Sequence, residues 1–82
     1  MNKQEVVEVV NGFLIEEFEI DEEVLQPDAI LREALDLDSL DYVDLVVVIE
    51  DNFGFKVTGE DFIDIKTLDD FYNFICSKAQ PV

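Results

Sequence analysis

Val6, Val10, Phe13 and Leu14 follow one another at steps of three and four residues, with acids and small polar groups between them. That period puts them on one face of a helix and predicts one from about Lys3 to Phe18. A second periodic run begins near Ser39 and ends near Phe53, where Asn52 and Gly54 supply a stop. A short third helix is expected over about 59–64. A fourth is expected over about 68–78, with Leu68, Phe71, Tyr72 and Ile75 facing inward. Each start carries a polar or acidic residue with an acid three positions later: Asn2 with Glu5, Asp38 with Asp41, Thr58 with Asp61, and Thr67 with Asp70. Such pairs satisfy the amide groups that a helix start leaves open. Between the first two helices lies a long connection over 19–37. Its apolar residues Ile20, Val24, Leu25, Ile30, Leu31 and Leu35 predict that it packs down onto the bundle. Residues 53–58 alternate but are too short, and without an evident partner, to make a strand. The expected fold is all-α: three main helices, one short helix and a long loop between the first two, as a single domain over residues 1–82.

The helix starting at Ser39 carries two apolar stripes. A helix turns about 100° per residue. Tyr42, Leu45, Val46, Ile49 and Phe53 therefore gather in one arc, an ordinary core stripe. Leu40, Val43 and Val47 fall together on nearly the opposite side, bordered by Asp44, Glu50 and Asp51. Either the long connection covers this second stripe, or it is a docking strip with an apolar centre and a charged rim. Periodicity leaves both open. The acids favour docking, because a buried face would not be edged with so many unpaired carboxylates.

Charge narrows the partners. The chain has 82 residues, a net charge of -16 and 21 acids against 5 bases, yet 49% of it is hydrophobic, so it folds rather than staying an acidic tail. Nucleic acid and anionic membrane surfaces would be repelled. Proteins with basic patches would be drawn in. A monomer is expected. No apolar run approaches the length of a membrane span, and the N-terminus lacks a signal-peptide core. Cys76 is the one cysteine, which fits a reducing compartment. A cytoplasmic location is expected, although an organellar protein with its transit segment removed would look the same.

Catalytic readings fare badly. The chain has no histidine, so Ser-His-Asp and Cys-His arrangements cannot form. A zinc site lacks ligands. Asp36, Asp38 and Asp41 resemble part of a calcium loop, but that loop would need an acid or amide, a glycine and a glutamate where Leu40, Asp41 and Val47 stand. Loose divalent binding to the acidic face is expected, with no dedicated metal site. Cys76 lies at the edge of an apolar stripe and reads as a small packing residue. Ser39 remains. With Asp38 as the cap, it is the first residue of its helix, its hydroxyl near solvent. As a bare tripeptide Asp-Ser-Leu reads as a cap followed by a tolerated first-turn residue, and only its context can give the serine another purpose.

The stretch "LDLDSLDYVDLVVVIEDNFGFKV" resembles the signature of the acyl carrier proteins, with its Asp-Ser-Leu at the start of the second helix. The resemblance extends over nearly the whole chain. "VVEVVNGFLIEEFEI" is similar to that family's first helix, "LQPDAILREAL" to its long loop and "KTLDDFYNFI" to its last helix. It implies that Ser39 is no catalyst but the residue to which a phosphopantetheinyl transferase attaches 4'-phosphopantetheine from coenzyme A. The arm's thiol then holds acyl cargo as a thioester, for fatty acid or specialised polyketide or aminoacyl-type biosynthesis. The resemblance also implies that Asp38, Leu40, Asp41, Val43, Asp44, Val47, Glu50 and Asp51 meet acyl-handling synthases and transferases, so that the apolar stripe and the family's recognition helix coincide.

Two departures from the family pattern bear on specificity. Asp36 stands where many members have glycine. Phe62 and Phe71 stand where many fatty-acid carriers have smaller residues, so bulky rings are expected to narrow the space for a long acyl chain. The alternative from another class is an acidic docking module of the same fold with no prosthetic group. Because so many like charges repel one another in the compact state, added salt or divalent cations should raise the melting temperature. A melt that stays flat from low to moderate salt would contradict this.

Overall fold

The computed structural model describes residues 2–79 as five α-helices and one 3-10 turn. Helix α1 spans Lys3–Phe18, α2 Leu31–Leu35, α3 Ser39–Phe53, α4 Gly59–Ile63 and α5 Leu68–Ala79; the 3-10 turn covers Glu22–Val24. No helix among the described residues is long and apolar enough to cross a membrane.

The starts follow the expected pairs. The Asn2 side chain accepts from the Glu5 amide at 2.8 Å, and the Asp38 side chain from the Asp41 amide at 2.9 Å. Asp61 accepts from the Thr58 amide at 2.9 Å and from its hydroxyl at 3.2 Å. Thr67 and Asp70 bond reciprocally, at 3.1 Å and 3.3 Å. These contacts satisfy donors that would otherwise lack partners. Each of the three longer helices also shows the expected inward face. Val6, Val10, Phe13 and Leu14 of α1 are buried, as are Leu45 and Ile49 of α3 and Leu68, Phe71, Tyr72 and Ile75 of α5. Tyr42, Val46 and Phe53 lie half-buried against this core. Helix α1 packs on both α3 and α5. No charged side chain is buried among the described residues. Tyr72 is buried, and its hydroxyl donates to Asn11 Oδ1 at 2.6 Å.

The connection between α1 and α3 departs from expectation. It is not a plain loop, because it contains the 3-10 turn and α2. Ile20, Leu25, Leu31 and Leu35 are buried as anticipated, but Val24 and Ile30 are exposed. The reason lies in backbone pairing. Ile30 and Thr67 form an isolated antiparallel bridge; the Leu31 amide donates to the Lys66 carbonyl at 2.8 Å and the Leu68 amide to the Ala29 carbonyl at 3.0 Å. This staple ties the connection to the start of α5 and leaves Ile30 at the surface. Smaller differences are helix ends: α4 stops at Ile63, and α5 continues to Ala79.

Truncating the core side of α3 should cost far more than truncating its other side. Ile49→Ala should lose about 2–5 kcal/mol in a denaturant melt. Val47→Ala, on the exposed face, should stay within about 0.5 kcal/mol of the parent.

Candidate functional site

Helix α3 begins where two local constraints meet. Asp36 ends α2 in the left-handed region, at φ 46°, and its amide donates to the Arg32 carbonyl at 3.0 Å. Glycine occupies such a position without strain, and aspartate is among the few other residues that tolerate it. Two residues later Asp38 is extended and caps α3. The chain thus turns sharply between α2 and α3, and Ser39 emerges as the first helical residue, exposed to solvent.

The setting of Ser39 suits a phosphate better than a catalytic hydroxyl. Asp38 engages the Asp41 amide with its side chain and the Tyr42 amide with its carbonyl, at 2.9 Å and 3.1 Å. The amides of Ser39 and Leu40 have no protein partner among the described residues. Open amides and the helix dipole both favour negative charge at this end. The chain has no histidine to serve as a base, and the neighbouring Asp38 carboxylate is engaged with the Asp41 amide. The residues present therefore fit a group joined to Ser39 through a phosphodiester, with the deprotonating base coming from elsewhere.

The second apolar stripe of α3 is uncovered. Leu40 is 77% exposed, Val43 61% and Val47 50%. The long connection does not fold over them. Asp38, Asp44 and Asp51 are exposed beside the stripe, while Asp41 and Glu50 are half-buried. The one ion pair among the described residues joins Lys3 to Asp69, away from this face. The carboxylates around Ser39 thus have no cation of their own.

The structure adds residues that periodicity did not single out. Asp41, Asp44 and Val47 border a groove of about 380 Å³ whose other wall carries Glu17 and Glu19, from the end of α1. Asp51 lies further along, on a second groove that holds Glu8 and Glu16. The acidic surface therefore spans two helices. Its only signal in the sequence is the run of acids at the end of α1, Glu16, Glu17 and Glu19.

On another side of α3, Tyr42 faces a cleft of about 710 Å³ with Phe62, Ile63 and Ile65. Phe62 sits at the centre of a ring stack, 5.5 Å from Tyr42 and 6.0 Å from the buried Phe71. Burial pushes the Tyr42 phenol above its ordinary range, and the Arg32 charge pulls it partly back.

The fold is a small helical bundle with a serine exposed at the tip of its second long helix. Comparison with known proteins gives that fold a family. Residues 8–75 match the family model described as a phosphopantetheine attachment site. An acyl carrier protein of Thermosynechococcus vestitus is 35% identical over 79 residues, covering 96% of this chain and 98% of the relative. An acyl carrier protein of Petrotoga mobilis is 33% identical, covering 95% and 92%. Acyl carrier protein 2 of Ralstonia nicotianae is 36% identical, covering 85% and 86%. The chain belongs to the acyl carrier protein family, and its prosthetic group is a covalently attached 4'-phosphopantetheine. Proteins of this family are carriers rather than catalysts, and they work with phosphopantetheinyl transferases and acyl-handling enzymes.

Proposed function

We propose that Ser39 is the attachment residue and that this protein delivers a short or polar acyl cargo between enzymes of a specialised pathway. The observation that carries the attachment is the position of Ser39: exposed, first in α3, with two open amides behind it. The Ser39 oxygen bonds to the phosphorus that bears pantetheine as the remainder of coenzyme A departs, and a base on the transferase takes the hydroxyl proton. When attached, the arm supplies a thiol that holds the cargo as a thioester. The chain's own residues keep the serine at the helix tip and present a face to the partner.

That face is the uncovered strip of Leu40, Val43 and Val47 with the acids around it. Apolar contact gives the docked complex its area, while the acids steer basic patches toward it. Asp38 also serves as the cap of α3, so its charge stands beside the serine for a structural reason as well. The cargo reading rests on Phe71, fully buried, and on the stack of Phe62 against it, which fill space between α3, α4 and α5. A long chain would have to displace these rings, whereas a short one need not. We place the protein in the cytoplasm as a monomer, on its charge and its single cysteine.

Ser39→Ala should keep the fold and melting behaviour and abolish loading. Intact mass after incubation with coenzyme A and a broad-specificity transferase should show one phosphopantetheine on the parent and none on the variant. An unmodified parent would instead point to an acidic docking module, and loss of fold in the variant would make the serine structural. Asp44→Lys and Glu50→Lys should each slow reactions with partner enzymes more than they disturb stability. Unchanged partner kinetics would put the docking surface elsewhere.

A further inference from the structure

The cleft beside Tyr42 has an unusual charge for this molecule. Arg32 and Lys66 both line it, and no carboxylate does. This holds in a chain with 21 acids and only 5 bases. The two cations are distant in sequence, and the Ile30–Thr67 bridge brings their segments together, with the Leu31 amide on the Lys66 carbonyl at 2.8 Å. Neither side chain is in an ion pair among the described residues, where the one such pair is Lys3 with Asp69. Apart from the Tyr42 phenol, the remaining side chains of the lining are apolar, and the cleft is partly open to solvent. Ile63, 76% exposed, stands on its rim. Tyr42, three residues after Ser39, lies about 4.5 Å along the helix axis from it. The cleft therefore starts within one turn of the serine.

An apolar cleft with two uncommitted cations is complementary to an amphipathic anion, namely a short hydrocarbon chain ending in a carboxylate. Screening confines most exposed charges to about 8 Å at physiological ionic strength. Acids do flank the cleft, since Glu33, Glu60, Asp61 and Asp64 adjoin lining residues in the chain and Asp70 accepts from the Lys66 amide at 3.4 Å, but within the lining itself the two cations meet no carboxylate. The guanidinium and ammonium groups supply charge-assisted donors for the carboxylate, and Tyr42, Phe62 and Ile65 contact the methylenes. A neutral chain gains the apolar contact alone.

We infer that the cleft selects arm-borne cargo of the carboxylated class, holding the far end of an ω-carboxyacyl thioester between Arg32 and Lys66. The inference rests on Ser39 carrying the arm. It names the polar cargo that the proposed function left general.

The test loads the protein at Ser39 with either hexanoyl- or 5-carboxypentanoyl-phosphopantetheine, from the matching coenzyme A thioesters, and follows backbone amides by NMR. The carboxylated cargo should shift the Phe62, Ile63 and Lys66 amides more than the neutral one does. That excess should vanish in the Arg32→Gln/Lys66→Gln variant, which should load to the same mass as the parent, and it should shrink as salt is raised. Equal shifts from the two cargoes, or an excess that survives the double substitution, would overturn the selection while leaving the carrier reading intact. A parent that gains no mass at all would overturn both. Hexanedioate added to unloaded protein should not saturate these amides at millimolar concentration. Saturation at low micromolar concentration would mean a free diacid site and would overturn the arm-borne assignment.

Discussion

Burial of Leu45 and Ile49 sets the rotation of α3 about its own axis, and the rest of the surface inherits that rotation. A helix has no freedom to turn one face without turning the others. Once these two side chains enter the core, Leu40, Val43 and Val47 must point outward, and Tyr42 must lie to one side against α4. The cap at Asp38 then fixes where the helix begins, and so where Ser39 stands relative to both faces. An ordinary hydrophobic stripe thereby orients a hydroxyl, an uncovered apolar strip and a cleft wall at once. The acids follow the same logic. They are kept at the surface by the cost of burying charge, and among the described residues those of α3 are in no ion pair.

The connection between α1 and α3 does more than span a gap. Its 3-10 turn, α2 and the bridge to Thr67 give it a defined path, and buried Ile20, Leu25, Leu31 and Leu35 hold that path to the core. The left-handed Asp36 lets α2 stop and α3 start within a few residues. A glycine would bend there more freely in the unfolded chain, so aspartate trades strain in the folded turn for fewer alternatives outside it. The same connection supplies one wall of the cleft, opposite α4.

What could be read from the chain divides along the range of the interactions involved. The longer helices were legible because both their stripes and their caps are local: Asn2 with Glu5, Asp38 with Asp41 and Thr67 with Asp70 lie within one turn of each other. The inward faces of α1 and α5 were legible to the residue for the same reason. Helix α2 was not, because it is only five residues long and Ile30, at its cap position, makes no side-chain bond to announce it. The exposure of Ile30 and the meeting of Arg32 with Lys66 depend on a bridge between segments far apart in the chain, which no periodicity encodes. Ser39 was singled out through the motif around it, and the structure adds its exposure at the start of α3. The uncovered state of Leu40, Val43 and Val47 needed the structure, since their spacing fits a covered helix equally well. Glu17 and Glu19 entered the acidic surface only when α1 was seen lying beside α3.

The division of α3 into an inner and an outer face bears on how such a molecule can diversify. Substitutions among Leu40, Val43 and Val47 leave the packed interior unchanged, so lineages can vary this surface without first surviving a loss of foldedness. Asp38 is the exception, because it belongs to the architecture and to the outward-facing set together. As far as folding alone is concerned, drift should run freely along Leu40, Val43 and Val47 and halt at the residue preceding Ser39.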